Sequence, residues 1–152
     1  MNEEDLVDEA FMRRCLAVAT TAGQRGDTAV GCVIVADGRE LVNAGECVVS
    51  AGDIAGHAEI EAVRLACQRR GSFDLQGCVL YTTVEPCFLC AYAIRETRIA
   101  RVVYGIPAGS IGGATSAYPI LTADDIVNWG APPMVTPGVL ASECRALLER
   151  TG

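Results

Sequence analysis

Residues 78–90 read CVLYTTVEPCFLC, and the order of residue types in this stretch decides the fold. Cys78 to Val84 is rich in β-branched and aromatic side chains and predicts a strand. Pro86 then stands at the favoured first position of a helix running through Cys90 to about Thr97. A strand that passes straight into a helix is the opening of an α/β layer, and the rest of the chain is read outward from it.

Upstream, Ala58 to Arg70 carries Ile60, Val63, Ala66 and Cys67 on one helical face and stops at Gly71. Before it lies a small, flexible connection, Ser50 to Gly56. Ala29 to Ala36 and Leu41 to Val49 read as two strands joined at Asp37-Gly38, a hairpin signal. Leu6 to Ala22 has three- and four-residue apolar spacing closed by Gly23 and predicts the opening helix. Downstream, Arg101 to Tyr104 is a short β run, and 108–119 (AGSIGGATSAYP) is an irregular loop. Thr122-Ala-Asp-Asp125 resembles a cap before a short helix to Trp129. Met134 to Pro137 reads as an edge strand, and Val139 to Arg150 as a last helix. The alternation predicts an α/β domain with a mixed sheet of about five strands.

The chain has 152 residues, within the range of one compact domain spanning 1–152. Its 51% hydrophobic and 20% charged content argues against long disorder. No apolar run approaches the roughly 20 residues of a membrane span. The acidic start MNEEDLVDEA lacks the pattern of a secretory signal, so a cytoplasmic location is expected. In a reducing compartment the eight cysteines read as metal ligands or buried small side chains rather than disulfides. Cys15, Cys32, Cys67, Cys78 and Cys144 sit in apolar patterns that fit burial. Net charge is −7, and all twelve basic residues are arginine. A balance of this sign argues against a nucleic acid partner, which needs cations at its phosphates.

Chemistry gathers at two short segments. The sole histidine is His57, in His57-Ala58-Glu59, and Cys87-Phe-Leu-Cys90 follows thirty residues later. Alone, a C-x-x-C pair fits redox chemistry, metal binding or burial, and a lone histidine is more often structural than a ligand. Together they meet the requirement of hydrolytic zinc, three nitrogen and sulfur ligands with a fourth position left for water. Cys87 and Cys90 share one face of a helix start, whose dipole favours thiolates. Two thiolates neutralise the ion, so a water there needs a base. Glu59 stands two residues beyond His57, outside the ligand set, and fits the work of a proton shuttle; by itself it is also an ordinary first-turn carboxylate.

H-x-E with P-C-x-x-C is the signature of zinc deaminases. On these motifs, and on AVGCVIV (29–35), GHAEIEAVR (56–64), LYTTVEPCFLC (80–90), RIARVVYG (98–105) and GVLASECRALL (138–148), the chain resembles the cytidine and deoxycytidylate deaminase superfamily. Within it, the resemblance is to the branch that holds tRNA adenosine, guanine and fungal-type cytosine deaminases. It implies a three-layer α/β/α cytidine deaminase-like fold, a homodimer or larger assembly, and hydrolysis of a ring amine to a carbonyl and ammonia. One Zn2+ per chain is implied on His57, Cys87 and Cys90, with Glu59 as the catalytic proton carrier and the Ala58 backbone touching the ring. Many relatives hold the base with an asparagine in a G-x-N stretch; here it reads Gly45-Glu46-Cys47, and since Cys47 is a weak hydrogen-bond partner, either Asn43, Glu46 or a backbone group reads the ring or the substrate differs from those of familiar members. Asp53 to Gly56 departs as well, reading DIAG where relatives often have Asp-Pro-Thr-Ala.

The acidic charge places a free nucleobase, nucleoside or other small heterocycle first among substrates. Glu85 in VEPC resembles the adenosine and guanine deaminase branches rather than the fungal-type cytosine deaminases, a resemblance that implies a purine-like ring such as guanine. The alternative is deamination of adenosine to inosine in tRNA, with Arg13, Arg14, Arg69, Arg70, Arg95, Arg98 and Arg101 gathered on one face of a dimer. A zinc-stabilised structural protein stands third, opposed by the lack of a fourth ligand.

Overall fold

The computed structural model describes residues 1–151. Five strands form one mixed sheet in the order β2-β1-β3-β4-β5: β1 (Gly31–Ala36), β2 (Arg39–Gly45), β3 (Val79–Val84), β4 (Arg101–Ile106) and β5 (Met134–Thr136). β1 is antiparallel to β2 and β3, and β3, β4 and β5 run parallel. The helices are α1 (Glu3–Gln24), α2 (Val48–Ala51), α3 (Ala58–Arg70), α4 (Phe88–Thr97) and α5 (Ala141–Thr151). Side chains alternate across the sheet as a period of two demands. Ile34, Leu80 and Val102 face α3 and α4, whereas Val33, Tyr81 and Val103 face α1 and α5. The result is the expected three-layer α/β/α architecture.

Local chemistry moves several boundaries. α1 begins at Glu3 because Asn2 and Asp5 form a reciprocal cap, Asp5 N–H to Asn2 Oδ1 at 2.9 Å and Asn2 N–H to Asp5 Oδ2 at 3.1 Å. Asp37 and Gly38 both have positive φ, 52° and 76°, and close the two-residue hairpin. β2 ends at Gly45 rather than Val49, since its partner β1 begins at Gly31, opposite Gly45. Beyond that point Val48 and Val49 have no strand to pair with and enter the short α2, whose Ser50 N–H and hydroxyl donate to Asp27. Cys87, not Asp or Ser, is the N-cap of α4, which places Pro86 one residue outside the helix rather than at its first position.

The expected helix from 125 to Trp129 is absent. Thr122 and Ala123 N–H both bond to Pro119 O, and the chain then continues in turns and bends. The carbonyls of Ile120, Leu121, Ala123 and Gly130 accept from the buried guanidinium of Arg95, which holds the segment in this irregular course. No helix among the described residues is long and apolar enough to cross a membrane.

Candidate metal centre and active site

The centre is assembled from the starts of two helices. His57 is the N-cap residue of α3, with extended backbone at φ −70° and ψ 146°. Cys87 holds the same place on α4, at φ −74° and ψ −177°, and Cys90 follows in its first turn. α3 reaches this position through the loop after β2, where Cys47 N–H donates to Gly56 O at 2.8 Å. α4 reaches it because β3 lies beside β1 in the centre of the sheet.

His57 Nδ1 lies 3.4 Å from Cys87 Sγ and 3.4 Å from Cys90 Sγ, and the two sulfurs are 3.9 Å apart. Tetrahedral zinc with ordinary bond lengths sets about 3.6 Å between nitrogen and sulfur and about 3.8 Å between sulfurs. The three donors therefore fit the ion without rearrangement. They are the one His/Cys/carboxylate cluster with metal-ligand spacing among the described residues. Cys87 is pushed down to about 5, first by its hydrogen bond with the Cys90 thiol and then by backbone N–H groups, His57 adding to this against the cost of burial. Cys90 is pushed up by the same thiol pairing and by burial. A divalent cation binds such a pair as thiolates, releasing the protons they carry.

Glu59 is buried in the first turn of α3 and is not one of the cluster's donors. Burial raises its carboxyl to about 7, opposed by hydrogen bonding to Cys90 and to Thr82. Thr82 Oγ1 donates to Glu59 Oε1 at 2.9 Å. Thr82 was missed in the sequence, where it reads as an ordinary β residue. Its inward register on a central strand is visible only after pairing, which sets Thr82 opposite Cys32 and Tyr104.

Ala58 lies between His57 and Glu59 with its side chain in the core. Cys47 packs against Gly56 in the loop before His57, and burial raises its thiol. Asn43 is not brought to the centre. Its amide donates to Glu40 Oε2 at 2.8 Å, and Glu40 is paired with Arg14 of α1, across the sheet from α3. Asn43 lies within β2 opposite Val33 and shares the sheet face that Val33 turns toward α1. Glu46 bonds through its backbone, N–H to Val30 O and C=O from Arg25.

Glu85, two residues before Cys87, has a structural task that its sequence did not reveal. Its buried carboxylate accepts Ala108 N–H at 2.9 Å, Ala114 N–H at 2.8 Å, and Thr115 N–H and hydroxyl at 2.7 Å each. Burial opposes the charge, but these bonds outweigh it and hold the carboxyl below its ordinary value. Gly112 is required there, since any Cβ would strike that carboxylate. The loop is thereby drawn onto Cys87 and Pro86, with Gly113 N–H on Pro86 O at 2.8 Å.

Within one chain the arginines named above lie apart. Arg13 and Arg14 lie on α1 and Arg69 and Arg70 on α3, on opposite sides of the sheet. Arg95 is buried, Arg98 is paired with Asp74 and Arg101 with Asp8.

Comparison with known proteins agrees with this geometry. Residues 6–106 match the family described as the cytidine and deoxycytidylate deaminase zinc-binding region. The tRNA-specific adenosine deaminase of Agrobacterium fabrum strain C58 is 42% identical over 140 residues, 92% of this chain and 90% of that protein. A solved structure from work on A-to-I editing by tRNA:A34 deaminases superposes with a TM-score of 0.84 at 34% identity, over 91% of this chain and 99% of the other. The guanine deaminase of Bacillus subtilis, also 34% identical, reaches a TM-score of 0.63 over 70% of this chain and 66% of its own. Identity of 34–42% over nearly the whole of both chains lies with tRNA adenosine deaminases. That overturns the ranking drawn from net charge, which set a free base first and argued against a nucleic acid partner. Net charge is a sum over the surface and is blind to the shape of a site. With its zinc-fitting donors, its layered fold and this match, the chain belongs to the cytidine and deoxycytidylate deaminase family of zinc-dependent enzymes.

Proposed function

We propose that the protein deaminates adenosine to inosine in tRNA. The observation that carries this reading is the 42% identity to the Agrobacterium fabrum tRNA-specific adenosine deaminase over 92% of the chain. In it His57 Nδ1, Cys87 and Cys90 hold the zinc. When bound, the ion supplies Lewis acidity for the activation of water. Glu59 takes and returns a proton at its carboxylate, with Thr82 fixing the orientation of Oε1. A carboxyl near 7 both accepts and releases a proton at neutral pH. Ala58, in the first turn of α3, supplies backbone contact to the ring, and Cys47 lines the loop beside it.

The finer reading places one such domain over residues 1–152, in the cytoplasm, as a homodimer. The homodimer is supported by an apolar groove between α3 and α4 that includes Ile60, Val63, Tyr92 and the exposed Phe73.

Inosine analysis of an anticodon stem-loop incubated with the zinc-loaded protein tests the substrate, with adenosine, adenine and guanine alongside. Inosine is expected in the stem-loop. Ammonia release from a free base with no inosine in any stem-loop overturns the reading.

A further inference from the structure

The region after β4 carries two aromatic residues of opposite character. Trp129 is fully engaged: its indole N–H donates to Glu96 Oε1 at 2.7 Å, the Arg95 guanidinium lies 5.0 Å over its ring, and Tyr92 meets it edge-on at 5.7 Å. Tyr118 is 70% exposed, and no hydrogen bond from its hydroxyl occurs among the described residues. Its ring contact is with Phe88, centroids 6.3 Å apart and planes at 78°. Phe88 follows Cys87 directly in the chain, so the ring that Tyr118 meets belongs to the residue next to a candidate metal ligand.

An exposed ring on a glycine-rich loop is expected to move, yet this one is held on both flanks. On one side Glu85 gathers Ala108, Ala114 and Thr115. On the other Arg95 gathers Ile120, Leu121, Ala123 and Gly130. Leu121 N–H closes the base of the loop on Gly113 O at 2.9 Å, and Tyr118 N–H is taken by Ser116 Oγ at 3.1 Å. Two buried charged side chains are thus committed to presenting a short segment whose one large side chain points an aromatic surface at solvent. A ring whose only task was packing would be buried, as Trp129 partly is.

We propose that Tyr118, backed by the edge of Phe88, is the stacking surface for the nucleobase adjacent to the adenosine that is deaminated. The inference rests on the tRNA reading above. An adenosine drawn out of its strand leaves a neighbour with an uncovered π-face, and an aromatic side chain covers it whatever the base, because each of the four has such a face. Phe88 and Tyr118 are therefore a binding contact rather than part of the proton chemistry. The contact suits a single-stranded loop and offers nothing to a free base.

The test measures the affinity of zinc-loaded wild type, Tyr118→Ala and Tyr118→Phe for an RNA stem-loop, and repeats it with the base on either side of the target adenosine removed in turn. Tyr118→Ala is expected to weaken binding to the intact stem-loop about tenfold, whereas Tyr118→Phe stays within about twofold. On the stem-loop lacking the stacked neighbour, the difference between Tyr118→Ala and wild type should fall below about twofold. Equal affinity of wild type and Tyr118→Ala for the intact stem-loop overturns the proposal while leaving the tRNA reading intact. So does a loss on Tyr118→Ala that is unchanged by removing either neighbour, or one traced by sedimentation to a weakened dimer. Failure of the wild type to bind or deaminate any stem-loop overturns both.

Discussion

Glu59 shows how one side chain changes meaning with its surroundings. In sequence it is an acidic residue in a first helical turn, a place where the dipole favours a negative charge. In the fold it is buried against Thr82 and Cys90, and the cost of burying its charge sets its carboxyl at about 7. Glu59→Gln keeps the volume and one acceptor but carries no proton. Turnover is expected to fall at least about a hundredfold, with zinc content and melting temperature unchanged. Metal analysis beside single-turnover rates decides it; retention of a third of the activity would remove Glu59 from the proton path. Asp27 is a carboxylate with a different task. Hydrogen bonds from Ser50 side chain and backbone, then Arg25, lower it from 3.8 to about 2. Its folded value lies below its unfolded one, so its contribution is complete above about pH 4 and is lost as pH falls toward about 2. Asp27→Asn should flatten that part of the stability curve. Unfolding by denaturant across the window checks it, and parallel acid limbs for both proteins would refute the assignment.

At the scale of elements, the site depends on how α3, α4 and the loop after β4 are tied together. Zinc links the first turns of α3 and α4, so a chelator should lower stability by about 4 kcal/mol for an ion present at a thousand times its dissociation constant. A thermal scan that does not move on metal removal would show the two helices to be held by packing alone. The loop is tied by Glu85, which accepts four hydrogen bonds with two oxygens. Glu85→Gln replaces one acceptor with an NH2 that faces other donors. Each donor left without a partner costs about 1–3 kcal/mol, and hydrogen exchange should show faster exchange at Ala114 and Thr115. Unchanged protection there would mean that the loop is fixed by Arg95 and Gly113 instead.

For the whole molecule, the charge argument needs a different form. The net charge of −7 describes the average surface, and several arginines are neutralised locally by Glu40, Asp27, Asp74 and Asp8. Arg39, Arg69, Arg70 and Arg145 make no ion pair among the described residues. A stem-loop that touches about four phosphates should lose roughly a hundredfold in affinity between about 50 and about 200 mM salt. An affinity that does not change over that range would point to a ligand without a phosphate chain, and titration of a labelled stem-loop at several salt concentrations measures it.

Much of the molecule was legible from the chain alone because it depends on local pattern. The strand-to-helix run of 78–90, the hairpin at Asp37-Gly38 and the helix Ala58–Arg70 follow from turn chemistry and side-chain period, which neighbours in sequence settle among themselves. His57, Cys87 and Cys90 were legible for a related reason, since few residue types bind zinc and their spacing at helix starts restricts where they point. Tertiary structure alone decided the rest. The end of β2 at Gly45 was set by the length of its partner β1, and the pairing of Asn43 with Val33 set the face on which its amide meets Glu40. The irregular course on either side of Trp129 is held by Arg95, 25 or more residues away from the carbonyls it meets. The hydrogen bond from Thr82 to Glu59 and the closing of the 108–115 loop on Glu85 likewise join residues 23 to 30 apart. Such bonds follow from which buried polar groups meet, and burial requires that each find a partner wherever in the chain it lies.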